Sequence, residues 1–185
     1  MFKKYWKFFV IFWSVVLVGI IGVFVFFWLI SAGKLGFMPT FEELENPNNR
    51  FASEVYFADG PIMNRYFEKE NRKYIEYREI PQSVIDALIA TEDVRFYDHS
   101  GVDVRGLFRV AKGLLTANTS AGGGSTISQQ LAKMLFPRES DLNVFELAIR
   151  KFREWVIAVR LEKSYTKEEI LTMYLNKYDF LNLAV

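Results

Sequence analysis

Apolar and polar positions are distributed unevenly along this chain. Phe8 to Ile30 is a run of 23 residues without a charge, and Ser14 is its one clearly polar member. As a helix the run spans about 34 Å at ~1.5 Å per residue, enough for a bilayer core of about 30 Å. It is apolar on every face, which argues against a core helix of a soluble domain. A cleavable signal sequence would carry a shorter apolar core, about 7–15 residues, ending in small residues. Ser31-Ala32-Gly33 is a poor match to that pattern. Residues 8–30 are therefore expected to be an uncleaved transmembrane anchor, with residues 1–7 as a cytoplasmic tail. Trp6 and Trp28 sit near its ends, where amphipathic rings favour the interface. Lys3, Lys4 and Lys7 precede it and only Lys34 closely follows, so the positive-inside rule puts the remainder of the chain outside.

Residues 31–80 have the pattern of a linker with short β-strands. Thr40 and Glu43 have capping-box spacing for a short helix over Thr40 to Glu45, which Asn46-Pro47-Asn48-Asn49 would break. Ser53–Phe57 and Ile62–Phe67 flank Ala58-Asp59-Gly60-Pro61, a hairpin signal. Arg72 to Ile80 alternates moderately and predicts a third strand. From Pro81 onward the period changes to that of helices. Gln82 to Thr91 repeats Val84/Leu88 and Ile85/Ile89 at i, i+4. Asp103 is placed to cap a helix running to about Leu115. Thr116 to Gly124 is small and polar and predicts a loop. Ser125 or Thr126 starts the next helix, with Thr126 and Gln129 at capping-box spacing. Asp141 to Ser164 predicts a long helix, and Thr166 with Glu169 caps a last one ending near Asn176. The expected class is mainly α: a transmembrane helix, a small β linker, and a helical domain over residues 81–185.

Composition narrows the chemistry. The chain is 185 residues long, 51% hydrophobic and 24% charged, with a formal net charge of +1. That excludes a disordered chain and gives no bulk signal for a nucleic-acid partner. With no cysteine and one histidine, a disulfide framework, a thiolate nucleophile and a cysteine or multi-histidine metal site are excluded. No metal ligand set is expected. Residues 104–160 carry nine basic and four acidic side chains, a bias that suits an anionic substrate or solvated helix faces.

Glu92-Asp93 closes an apolar helix, where partial desolvation favours acid–base chemistry. A water-exposed helix end is the plainer alternative. On the long helix Phe145, Ala148, Phe152, Trp155, Val156 and Val159 share an arc of about 100°, the expected core face. Arg150, Arg153 and Glu154 lie opposite, with Lys151 at the flank, and Arg150 and Glu154 are spaced to pair. Cations beside a glutamate are suited to holding a diphosphate and assisting its departure. Gly122–Lys133 is a glycine-rich loop feeding a helix, and it is not a Walker P-loop, because Lys133 lies well inside the helix.

Four segments in order resemble the motifs of the glycosyltransferase family 51 domain, found in class A penicillin-binding proteins and monofunctional peptidoglycan glycosyltransferases. They are Glu92-Asp-Val-Arg-Phe96-Tyr-Asp-His99-Ser-Gly101-Val-Asp103, Gly123-Gly-Ser125-Thr126-Ile-Ser-Gln129-Gln130-Leu-Ala-Lys133, Arg150-Lys151-Phe-Arg-Glu154, and Lys167-Glu-Glu-Ile-Leu-Thr-Met-Tyr174-Leu-Asn176. The resemblance covers about residues 75–185. It implies a lysozyme-like helical fold at the outer face of the bacterial cytoplasmic membrane. It also implies polymerisation of lipid II into β-1,4 glycan with inversion and release of undecaprenyl diphosphate, in cell-wall biogenesis.

Carried onto matching positions, Glu92 resembles the general base for the acceptor 4-hydroxyl and Glu154 the second glutamate, at the donor diphosphate. Lys133, Arg150 and Lys151 match diphosphate-holding positions. Ser125, Thr126, Gln129 and Gln130 match the cleft-lining second motif. Asp93, Phe96, His99, Gly101 and Asn176 match supporting positions. The implied partners are lipid II, the growing glycan strand, membrane lipids and other cell-wall synthesis machinery. No cofactor is expected to be tightly bound; a divalent cation, Mg or Mn, suits the diphosphate. Met134 stands where the family commonly has asparagine, and Phe145-Glu146 where an arginine is common, with Arg138 a candidate substitute. The family's fifth motif and remaining lobe are not present before Val185, so the domain is expected to be C-terminally incomplete, and the activity of the chain alone stays open. Two other functions stay open. A lysozyme-like hydrolase or lytic transglycosylase would need no Arg-Lys cluster, and a non-catalytic membrane-anchored scaffold would need neither glutamate.

Overall fold

A computed structural model describes residues 2–40, 43, 53–66, 73–116, 123–135 and 143–178. Among them are six α-helices and one two-stranded sheet: α1 (Phe2–Ser31), β1 (Ser53–Tyr56), β2 (Ile62–Tyr66), α2 (Gln82–Glu92), α3 (Val104–Leu115), α4 (Ile127–Leu135), α5 (Val144–Ser164) and α6 (Lys167–Lys177). The mainly helical class is therefore observed. The chain divides into two compact units, residues 1–38 with 142–156, and residues 39–141 with 157–185. The division falls within α5.

In the first unit α1 is long and apolar enough to cross a membrane over Tyr5–Ser31. Phe8, Trp13, Val18 and Phe24 stand more than half exposed. That is costly in water and favourable in lipid, where a helix satisfies its own backbone hydrogen bonds. The first half of α5 belongs here too. Phe152 meets Phe26 and Phe27 edge-on at 5.3 and 5.7 Å between ring centroids, and Trp155 packs edge-on to Phe152 at 5.1 Å.

The face assignment of α5 needs correcting. Its most buried positions are Arg153, Glu154, Ile157, Ala158 and Leu161, not the predicted arc. Phe145 is 72% exposed, and Phe152 faces the aromatic rings of α1. An apolar stripe declares that water is excluded. It does not say whether protein or lipid excludes it.

The second unit is built around Ile85, Phe96, Ile127, Leu131, Ala158, Leu161, Ile170, Leu171 and Tyr174, all at most 1% exposed. Each isoleucine, leucine and phenylalanine among them contributes roughly 1.5–3 kcal/mol of burial. Helices α4 and α6 pack against each other. The β1–β2 hairpin forms as predicted, antiparallel, with an irregularity between Val55 and Tyr56. Capping boxes form at N-terminal ends, where backbone N–H groups lack helical partners. Thr40 and Glu43 exchange hydrogen bonds, as do Thr166 and Glu169 at the start of α6. Asn143 and Glu146 do the same at the start of α5, so that helix begins at Val144, while Asp141 lies outside the described residues. Asp103 caps α3 by accepting the Gly106 N–H at 3.0 Å.

Among the described residues 73–80 the predicted third strand is absent. Tyr77–Glu79 is a 3-10 turn in which Glu79 returns to the Glu76 N–H at 2.9 Å, and alternation over so short a stretch found no strand to pair with. The predicted box at Thr126 is only half formed. Thr126 Oγ1 accepts the Gln129 N–H at 3.2 Å, but the Gln129 amide donates to the Gly101 carbonyl instead. The expected turn at Asn46–Asn49, most of the loop before Gly123, Arg138 and the last seven residues lie outside the described residues.

Helix α3 has an unusual surface. Val104, Phe108 and Leu115 share one side and are 57%, 73% and 89% exposed, and Arg105, Arg109 and Lys112 flank them.

Candidate active site

The first motif leaves α2 at its C-terminal end, and the helix end separates its two carboxylates. Glu92 stays exposed. Asp93 turns inward to 7% exposure, so desolvation falls on the second carboxylate. Asp93 Oδ2 accepts the Ile127 N–H at 3.0 Å and faces His99 Nε2 at 3.0 Å, so Nε2 carries the proton. One carboxylate thus occupies the start of α4, where N–H groups lack helical partners, and fixes the histidine ring. Asp93→Asn removes the charge and sets an amide N–H2 against one of two donors. It is expected to cost about 1–3 kcal/mol, read as a lower melting temperature in detergent. An unchanged melting temperature would remove Asp93 from this role.

Gly101 stands at the crossing of the first two motifs. Its φ is +95°, and a Cβ there would lie 2.8 Å from the Ala158 carbonyl and the Val159 nitrogen. Its own carbonyl accepts from Thr126 Oγ1 at 2.7 Å and from Gln129 Nε2 at 3.3 Å. Thr126 and Gln129 are 2% and 1% exposed. Both are turned inward and hold the glycine-rich segment to Gly101.

The fourth motif ties the first and second together. Lys167 Nζ donates to the His99 carbonyl at 2.7 Å and to Glu162 at 2.7–2.8 Å. It lies over the buried Phe96 ring at 4.3 Å. Ser128 donates to the same Glu162. Asn176 clamps residue 75 through both backbone groups, donating to the Ile75 carbonyl at 2.8 Å and accepting its N–H at 2.9 Å.

These contacts leave a cleft of about 380 Å³ whose walls include Glu92, Arg95, Arg109, Ser125, Thr126 and Gln130. Gln130 donates from Nε2 to Glu92 Oε2 at 2.7 Å. Arg95 is paired with Asp103. Burial pushes the Asp103 carboxyl up, but hydrogen bonds from Arg95 and the Gly106 N–H, with the charges of Arg95 and His99, outweigh it and hold the group below the usual carboxylate range. Arg95 is correspondingly raised, first by that hydrogen bond. Lys133 is exposed in the last turn of α4.

The remaining predicted residues belong to the first unit. Glu154 is 9% exposed and pairs with Lys151 at 2.9 Å. This i, i+3 partner replaces the predicted Arg150. Arg150 is half-buried. Arg153 packs so closely over Gly36, whose φ is +113°, that a Cβ there would overlap its guanidinium.

Sequence reasoning missed Tyr174 as part of this arrangement. Its hydroxyl donates to Gln130 Oε1 at 3.0 Å, a contact between side chains 44 positions apart. Among the described residues no group of three or more histidine, aspartate or glutamate side chains is gathered to hold a metal ion.

The transglycosylase family model matches residues 59–184. Penicillin-binding protein 1A of Escherichia coli (strain K12) is 39% identical over 140 residues, covering 76% of this chain and 16% of that protein. The protein of that name from Haemophilus influenzae is 39% identical over 149 residues, or 80% and 16%. The one from Vibrio cholerae is 33% identical over 162 residues, or 88% and 18%. The chain thus spans less than a fifth of the length of these relatives.

Proposed function

The chain belongs to the transglycosylase family, and from that premise we propose that it polymerises lipid II into β-1,4 glycan at the outer face of the cytoplasmic membrane. Peptidoglycan glycosyltransferases are supported as the class by the family match and by the penicillin-binding protein 1A relatives. The observation that carries the reaction is Glu92, an exposed carboxylate on a cleft wall, hydrogen-bonded by Gln130.

In this reading the acceptor 4-hydroxyl gives its proton to Glu92 as its oxygen bonds to C1 of the donor sugar. The C1–oxygen bond to the diphosphate breaks, the configuration at C1 inverts, and undecaprenyl diphosphate leaves. A carboxylate base of this kind contributes about 10²- to 10⁴-fold. Arg150, Lys151 and Lys133 supply cations for the departing diphosphate, and Glu154, already paired to Lys151, holds that lysine in place. Ser125 and Gln130 line the acceptor side. Asp93, Phe96, His99, Gly101, Thr126, Gln129 and Asn176 support the walls. A divalent cation, Mg or Mn, would be held by the diphosphate oxygens and would offset their charge as the leaving group departs.

The membrane is part of the mechanism. A lipid-linked substrate and an anchored enzyme share one surface, which raises their effective concentration. The exposed apolar side of α3 with its arginine and lysine flank has the character of an interfacial helix. Lys3, Lys4 and Lys7 support a cytoplasmic N-terminus.

The test is incubation of the chain in detergent or bilayers with labelled lipid II and Mg or Mn. Glycan polymer is the expected product, and free disaccharide from cleaved polymer would instead mark a hydrolase. Arg150→Ala and Lys151→Ala are each expected to weaken lipid II binding about tenfold, the loss of one charge-assisted contact. Titration with labelled lipid II measures this, and unchanged affinity would remove the pair from the diphosphate.

A further inference from the structure

A buried phenol stands behind Glu92, and the chemistry above does not use it. Tyr174 on α6 is 1% exposed and its ring stacks on Tyr178, with 5.2 Å between centroids and 22° between planes. Its hydroxyl donates to Gln130 Oε1 at 3.0 Å, and Gln130 Nε2 donates to Glu92 Oε2 at 2.7 Å. The three side chains come from α6, α4 and the end of α2, so they form one relay from core to cleft.

The relay has a direction. A glutamine amide has two ends of similar shape and opposite polarity. Turned one way Gln130 offers Glu92 a donor, and turned the other it sets a carbonyl oxygen against a carboxylate. The Glu92 carboxylate, which only accepts, favours the first orientation. The phenol fixes the other end of the amide, because its O–H is donated to the amide oxygen. Burial first, and the nearby Glu92 charge second, raise the Tyr174 phenol well above its ordinary range, so the hydroxyl keeps its proton and remains a donor. Among the described residues Glu92 Oε1 accepts no hydrogen bond, which leaves it to the substrate side.

We propose that Tyr174 is a positioning residue for Glu92, acting through Gln130: its hydroxyl locks the amide so that Nε2 holds Oε2 and leaves Oε1 turned to the acceptor hydroxyl. This deepens the proposed function and rests on Glu92 being the base. Rotation of an unlocked amide would misplace the carboxylate, and misplacement of about 1 Å at a reacting centre costs up to about 100-fold.

The test uses the full chain in detergent micelles and two readouts. The first needs no turnover. In the ¹⁵N spectrum of the glutamine side chains, the Gln130 N–H2 protons are expected to be inequivalent and protected from solvent exchange. Tyr174→Phe, which keeps the stacked ring, is expected to remove that protection while the melting temperature holds. Gln130 protons that are unmoved by Tyr174→Phe would overturn the relay. The second readout is polymerisation. Tyr174→Phe is expected to lower kcat about 10- to 100-fold with little change in KM. The Tyr174→Phe/Gln130→Met double variant is expected to fall no further than Gln130→Met alone, since both break one path. Additive losses or an unchanged kcat would overturn the positioning role. A wild-type chain that neither binds lipid II nor makes polymer would refute the proposed function, and the amide signal would still decide the relay.

Discussion

Glu92→Gln is expected to abolish glycan polymerisation, with kcat reduced by about 10²- to 10⁴-fold and lipid II affinity close to that of the unchanged chain. The amide has the shape of the carboxylate and still offers an oxygen to Gln130 Nε2, which sits 2.7 Å from Oε2. It cannot take a proton from the acceptor hydroxyl. Because Glu92 is exposed and outside the core, folding stability should change by no more than about 0.5 kcal/mol. The combination is diagnostic: polymer lost on a gel, lipid II still bound by titration, melting temperature unmoved. Substantial residual turnover would remove Glu92 from the base role and transfer attention to another group on the cleft wall.

Gly101→Ala is expected to be the most damaging small substitution for the fold. Two costs combine. A residue with a side chain is strained at φ +95°, by about 1–3 kcal/mol. Its methyl group would also meet the backbone of α5 at 2.8 Å from the Ala158 carbonyl and the Val159 nitrogen. Backbone has no rotamer to turn away, so the helix or the loop must shift, at about 1–3 kcal/mol more. The loop cannot shift freely, because the Gly101 carbonyl receives Thr126 and Gln129. A fall in melting temperature of roughly 10 °C or more is expected, together with loss of the cleft. Gly60→Ala is the matching control. Its φ is +103°, but nothing lies within 4 Å of the added methyl, so only strain is paid. Equal melting temperatures for the two variants would show that the close approach to α5 does not matter.

Signals carried by neighbours in sequence proved sufficient for much of the architecture. The uninterrupted apolar run became α1, and Asp59-Gly60 became the turn of the hairpin. Thr166 with Glu169 began α6, and Asp103 began α3, because a cap is made of atoms three or four residues apart. The Asn143–Glu146 box has the same spacing and places the start of α5 three residues after Asp141, a signal present in the chain and outweighed by the apolar pattern. The order of the motifs was likewise enough to indicate the family, since a reaction's residue types survive in sequence even where their geometry is not visible.

Side-chain packing in three dimensions assigned the rest. Which carboxylate of Glu92-Asp93 is buried depends on the Ile127 N–H and His99, not on the helix that ends there. Which side of α5 is buried is decided by the packing of Ile157, Ala158 and Leu161, while Phe152 meets Phe26 and Phe27, because periodicity measures the exclusion of water and is silent about what replaces it. The partner of Glu154 is Lys151 rather than Arg150, although both spacings suit a helix, because side-chain direction selects between them. Tyr174 was a motif letter until folding set its hydroxyl against Gln130, 44 residues earlier. A polar side chain's role comes from the donor or acceptor facing it, and in this domain that group is contributed by a distant turn of the chain.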